Sequence, residues 1–263
     1  SHLGLDASAY DALQRALEQK VAADAPVPGT AQSVTQTGSA ATSPSKALAD
    51  EGTIKNSIVP ESSLSRFVHL HCHSQFSLGI PGCSTVYDLV DHAVAQGSGA
   101  IALTDHSTLY GAFLFFQYAH AKGIKPILGL DLQVCKDHRD HSRKDNGTPQ
   151  LLLARNQRGY QNLVKLGSLS YTEGYYYVPR VSRELVFAHS EGLVATSGSL
   201  DAEIPWTLLN HGEAQAEEAL RAWKEAFGEH FYLEVQDHGL EEEQFVRAQY
   251  EKWSVQYNIP IIV

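Results

Sequence analysis

Three histidines alternate along His69-Leu70-His71-Cys72-His73-Ser74. In an extended chain successive side chains point to opposite faces, so residues 69, 71 and 73 would share one side and bring three imidazoles together. Two or three imidazoles on one face form a nest for a metal ion. A second apolar run ends in Thr104-Asp105-His106, and a third ends around Gly129-Leu130-Asp131. His71, His73, His106 and Asp131 are therefore the expected ligand set, a mixture of nitrogen and oxygen donors that zinc, manganese or iron accept. Such a centre with an open position lowers the pKa of bound water to about 7 and polarises a phosphoryl oxygen. The chemistry indicated is metal-assisted phosphoester hydrolysis. His69 is a further candidate in the same row, and His238 follows the sixth apolar run. Asp105 is placed either to bind the metal or to orient a neighbouring histidine from behind.

Other residues carry less. His138 and His141 fall in the polar stretch 136–147 and read as part of a solvated loop. Tyr175-Tyr176-Tyr177 could stack on bases, against packing or loop anchoring as the competing reading. No Gly-x-Ser-x-Gly elbow supports a serine hydrolase. Cys72, Cys83 and Cys135 show no CxxC spacing and read as free thiols rather than a disulfide framework or thiolate zinc site.

The elements that must position these groups follow from the apolar pattern. Short apolar runs at 66–72, 99–104, 126–134, 150–155, 192–196, 231–236 and 260–263 predict seven strands. Helical periods at 84–97, 109–122, 157–172, 182–189, 203–227 and 241–257 separate them, with Gly97 and Gly123 suited to end helices. That alternation reads as a parallel α/β fold. Neither GxGxxG nor GxxxxGK[ST] follows the first run, which favours a barrel over a nucleotide-binding open sheet. Barrels of this kind carry reactive groups on the loops at the C-terminal ends of their strands, where the histidines and carboxylates lie.

The first 65 residues differ. Ala9, Leu13, Ala16, Leu17 and Val21 mark one amphipathic helix over 6–22, and the Ser/Thr/Ala/Gly/Pro-rich stretch 24–65 reads as a flexible linker. A formal charge of −10 argues against a domain that grips duplex phosphates by itself, so any DNA would be held by other parts. No apolar run reaches the roughly 20 residues that span a bilayer, and no secretory signal is present, so no membrane partner and a cytoplasmic location are expected. The chain lacks methionine and stops at the apolar Ile261-Ile262-Val263, so both ends read as cut.

The segments FVHLHCHSQFSL (67–78), IALTDHSTLYGAFLFFQYAHAKGIKPILGLDLQV (101–134), LLLARNQRGYQNLVKLGSLSYTEGYYYVPRV (151–181), GLVATSGSLDAEIP (192–205) and VQDHGLEEEQ (235–244) resemble, in this order, the N-terminal PHP domain of bacterial DNA polymerase III alpha subunits. The resemblance spans 66–263 and leaves 1–65 without a counterpart. It implies a distorted (βα)7 barrel in a cytoplasmic replicase, with a cluster of up to three metals. In some members that cluster supports 3′–5′ exonuclease or phosphoesterase activity, and in others the domain is a scaffold. His71, His73, His106 and Asp131 match ligand slots of the family. Ile80 stands where active members have an aspartate, Pro149 where they have a histidine, and Ser199 where a cysteine is common; the final Asp-x-His motif would lie beyond Val263. Isoleucine and proline side chains donate nothing to a metal, so one divalent metal (zinc, manganese or magnesium) at most is expected. The resemblance further implies a scaffold that braces the remaining polymerase domains and docks a proofreading exonuclease subunit, with no polymerisation by this segment itself. The competing reading is a free-standing metallophosphoesterase of the same superfamily, of the histidinol-phosphatase kind.

Overall fold

The computed structural model describes residues 67–79 and 84–263. The helix and linker read in 1–65, together with Ile80 and Cys83, lie outside them. The described chain runs α1 (Val86–Ala95), β1 (Ala100–Leu103), α2 (Ala112–Ala121), β2 (Lys125–Cys135), β3 (Thr148–Ala154), α3 (Gln157–Thr172), β4 (Arg180–Ser182), α4 (Arg183–Ala188), β5 (Leu193–Thr196), α5 (Glu203–His211), α6 (Glu213–Phe227), a 3-10 turn (Gly228–His230), β6 (Phe231–Glu234), α7 (Glu241–Tyr257) and β7 (Ile261–Ile262). The seven strands form one curled sheet in the order β1-β2-β3-β5-β6-β7, with β4 paired to β2 beyond the reach of β1.

Three apolar clusters explain the curl. Ala100, Ala102, Ile127, Leu151, Leu153 and Val194 face one another across the concave side, with Val68, Leu70 and Tyr232 packed on them. This is the interior of a distorted barrel. On the convex side α1 and α2 cover β1 and the start of β2, while the later helices bury Trp223, Trp253 and Phe231 against the other strands. Fully burying each such side chain stabilises the fold by about 1.5–3 kcal/mol or more. Gly129 of β2 permits the tight curvature, since a Cβ there would lie 2.6 Å from Leu153 and 2.7 Å from Thr104.

The helix ends follow local rules. Thr85 caps α1 by accepting from the Asp88 amide at 3.1 Å while Asp88 accepts from the Thr85 amide. Gly97 and Gly123, as expected, take the left-handed conformation after their helices. Asn156 caps α3 by accepting from the Gly159 amide.

Four expectations need correction. Residues 67–73 form no regular strand: they run extended beside β1, tied by Ala102 N–H to His69 O and Thr104 N–H to Cys72 O. The sheet is not all parallel, because β3 is antiparallel to both β2 and β5. Its connection from β2, residues 136–147, holds no helix and so permits a direct antiparallel return. Three residues within the stretch between the expected fourth and fifth strands, Arg180–Ser182, form an unforeseen strand. The single helix expected over 203–227 is two, broken where Gly212 adopts φ +91°.

Candidate metal centre

The site is assembled at the C-terminal rim of the barrel by backbone register. Parallel pairing of β1 with β2 continues as an isolated bridge between His106 and Asp131, fixing the Thr104-Asp105-His106 loop beside the carboxylate. Ser107 N–H donates to Asp131 O at 2.7 Å, with Ser107 at φ +59°. His71 and His73 approach from the opposite edge, their ring centroids 5.1 Å apart. One donor atom each of His71, His73 and Asp131 lies within 4.8 Å of the others.

The fourth expected ligand stands behind this group. His106 donates through Nδ1 to Asp131 Oδ2 at 2.9 Å, and its Nε2 lies 3.1 Å from the Gln133 amide nitrogen. Asp131 Oδ1 is buried with no hydrogen-bond partner. A buried carboxylate oxygen left bare beside two imidazoles is costly unless a cation completes it, so the donor set fits a divalent metal.

Asp105 stands outside the three-donor group. Its carboxylate, 1% exposed, accepts from the Ser74 amide, the Ser74 hydroxyl and the Ser77 hydroxyl. It therefore shapes the loop that carries His73. His69 is also displaced from the expected row, with Nε2 3.2 Å from Gln96 Oε1 and its ring edge-on to Phe67. The reason is a bend at His71. Val68 and Leu70 pack into the barrel interior, whereas Cys72 packs beneath α1 and α2, so the alternation changes face between them. His238 lines the same cleft, but its Nδ1 is held 2.6 Å from Glu243 Oε1 and it stands outside the three-donor group.

Glu234, the last residue of β6, was not anticipated. It accepts from His71 Nδ1 at 2.8 Å, from Thr196 Oγ1 at 2.6 Å and from Gln236 Nε2 at 2.8 Å. An acid at the C-terminal end of a strand was a readable signal under the same rule that found Asp131. Burial pushes the His71 pKa down, but the Glu234 hydrogen bond and charge, with the Asp131 charge, outweigh it and raise the net value. Burial likewise pushes Glu234 upward, and its bond to His71 holds the net value below the usual range. His73 is lowered, by burial first and then by neighbouring His71.

These groups open into a cleft of about 1670 Å³. Its lining also includes Tyr171, Tyr175, Tyr177, Trp206, Lys136 and Arg183. Pro149 and Ser199 line it as well. Of the tyrosine run, Tyr175 and Tyr177 are exposed here, while Tyr176 stacks on His141 and beneath the Arg180 guanidinium. His138 corrects the solvated-loop expectation: it is 6% exposed. Burial pushes the Cys72 thiol up to about 12 and the Cys135 thiol to about 11, so both stay protonated, as expected of free thiols.

The chain is 41% identical over 202 residues to the DNA polymerase III subunit alpha of Treponema pallidum, and 37% over 201 residues to that of Borreliella burgdorferi. Each match covers 75% of this chain but 17% of the relative's length. Among solved structures, an amidohydrolase from Chromobacterium violaceum is similar at TM-score 0.49 and 14% identity, over 74% of this chain and 84% of that one. The profile of the PHP domain matches residues 69–238, which takes in every residue of the rim. The chain belongs to the PHP domain family.

Proposed function

We propose that this chain is the PHP module of a replicative DNA polymerase III alpha subunit, a scaffold that also holds one divalent metal for residual phosphodiester hydrolysis. The similarity to alpha subunits supports the polymerase context. In that context the module braces the remaining polymerase domains and offers a docking surface to a proofreading exonuclease subunit. DNA is gripped elsewhere, in keeping with a formal charge of −10. A cytoplasmic location accords with the lack, among the described residues, of any helix long and apolar enough to cross a membrane.

The observation that carries the metal is the bare, buried Asp131 Oδ1 beside His71 and His73. His71, His73 and Asp131 would hold zinc, manganese or magnesium, with His106 orienting the carboxylate. When bound, the ion supplies Lewis acidity and a water of lowered pKa. Pro149 and Ser199, on the same cleft, supply no imidazole or thiolate for further ions.

The test begins with metal content and titration calorimetry on chelator-free protein. About one ion per chain is expected, with manganese-dependent hydrolysis of a single-stranded oligodeoxynucleotide that Asp131→Asn abolishes. A stoichiometry near zero with no turnover overturns the metal centre and leaves the scaffold. In a full-length polymerase carrying this module, His71→Ala should remove the hydrolysis and spare primer extension; loss of both would overturn the division of roles.

A further inference from the structure

An imidazole binds a metal only through a nitrogen that carries no proton, and a neutral ring offers one such nitrogen, set by what the other one touches. Both rings of the pair are constrained on the same atom. His71 Nδ1 faces Glu234 Oε1 at 2.8 Å, and a carboxylate only accepts, so the proton resides on Nδ1. Glu234 has no freedom to turn away: its other oxygen accepts from Thr196 Oγ1, Gln236 donates to Oε1, and its backbone N–H donates to Ser197 Oγ.

His73 reaches the same state through a relay. Ser77 Oγ lies 3.1 Å from Asp105 Oδ1, 3.0 Å from the His106 amide nitrogen and 3.0 Å from His73 Nδ1. A hydroxyl has one proton and two lone pairs. The charge-assisted bond to the buried Asp105 takes the proton, and the His106 N–H fills one lone pair. The remaining lone pair requires a donor, so His73 Nδ1 carries its proton too.

We propose that Glu234, directly, and Asp105, through Ser77, are positioning residues that preset both imidazoles to the Nδ1–H tautomer, turning both Nε2 lone pairs to the metal pocket before any metal arrives. The inference rests on the metal centre proposed above, but its primary readout does not. Glu234 lies on β6 and His71 on the segment beside β1, so this contact also spans the two sides of the curled sheet.

Long-range nitrogen–proton NMR of the metal-free full chain at pH 8.5 reads each tautomer. Wild type should show Nδ1–H at both residues. Glu234→Ala should move His71 toward Nε2–H and leave His73 unchanged, and Ser77→Ala should do the converse. Glu234→Gln keeps a carbonyl acceptor and should restore the wild-type pattern at His71. Calorimetry with zinc should follow, roughly 10–100-fold weaker for each alanine variant and within a few-fold of wild type for Glu234→Gln. Unchanged tautomers in both alanine variants overturn the inference, even if the wild type binds metal. A wild type with preset tautomers that binds no metal overturns the metal centre and leaves the tautomer assignment standing. If Glu234→Ala unfolds, the Gln variant and Ser77→Ala still decide: an Nε2–H His71 in Glu234→Gln or an unmoved His73 in Ser77→Ala counts against it.

Discussion

By chemistry the residues lining the cleft fall into two sets, a first wall of oriented donors and a second wall without them, built to different standards. On one, His71, His73 and Asp131 are backed by Glu234, Ser77 and His106, so every donor is oriented by a second hydrogen bond. On the other, Pro149 and Ser199 occupy the positions at which the family resemblance places a histidine and a cysteine, and the exposed rings of Tyr175, Tyr177 and Trp206 dominate. Metal affinity depends on the orientation of donors as much as on their number. Of the two, the first is therefore the better equipped for the metal site proposed above. The largest effect expected from breaking this contrast comes from Asp131→Asn. It removes the bare anionic oxygen, and zinc affinity by calorimetry should fall by more than the roughly 100-fold that loss of an outer partner costs. Retained affinity would mean the ion sits elsewhere.

The contrast can be sharpened by repairing the second wall. Pro149 pairs in register with Gln133, but the β3–β5 ladder starts only at Leu152, so the position tolerates the missing N–H of proline and also its restoration. The double variant Pro149→His, Ser199→Cys returns an imidazole and a thiol to the cleft. Metal content should rise from about one toward about two ions per chain. A stoichiometry fixed at one would show that the second wall lacks geometry as well as donors.

The sequence made the three-donor group legible and the paths to it less so. His71, His73 and Asp131 were readable because donors at the ends of apolar runs meet wherever those runs share a sheet. His69 was misplaced because alternation assumes a regular strand, and the bend at His71 ends that regularity. The direction of β3 leaves no mark in an apolar run such as Leu151-Leu152-Leu153, which reads alike either way; the helix-free connection 136–147 was the available clue. β4 escaped because its first residue is an arginine. Arg180 is fully buried, its charge satisfied by the carbonyls of Gly174, Asp145 and Asp140, and composition alone assigns such a residue to the surface. The hydrogen bonds that orient the ligands join residues up to 163 positions apart, a pairing no local pattern records.

A smaller effect follows from the charged state of the first wall. The His71 pKa is raised above its ordinary 6.5, so its contribution to stability is complete below that value and is lost as pH rises through the folded one. Glu234 is lowered from 4.5, so its contribution is present above 4.5 and lost as pH falls through the folded value. The pair thus stabilises the metal-free chain most between about 4.5 and 6.5. His73, lowered, works in the opposite sense over the upper part of that window. The diagnostic is therefore the melting temperature of wild type minus that of Glu234→Gln, which should peak near pH 5–6 and shrink toward pH 8. A difference independent of pH would show that the pair is not ionised. Zinc should bind more weakly at pH 6 than at pH 8, because the proton on His71 competes for the same lone pair.

The smallest expected change concerns the second wall alone. Tyr177 sits at φ +65°, a left-handed conformation that costs a residue with a Cβ about 1–2 kcal/mol. It is 62% exposed in the cleft, with Lys144 Nζ 5.3 Å from its ring centroid. Tyr177→Gly relieves the strain but adds roughly 0.5–1 kcal/mol of unfolded-state entropy and forfeits about 0.5–1 kcal/mol of cation–π attraction. With the edge-on contact to the Tyr176 ring, centroids 4.7 Å apart, also lost, the losses modestly exceed the gain, and the melting temperature should fall by only a few degrees. Zinc affinity should not change, since no donor or backing group is touched. The affinity for a single-stranded oligonucleotide is where the residue can show itself. Loss of one stacked base is worth about 1–3 kcal/mol, so a roughly tenfold weakening on that assay alone would give the aromatic wall a role in substrate binding separate from the metal wall. Unchanged binding would leave Tyr177 without a nucleic-acid role.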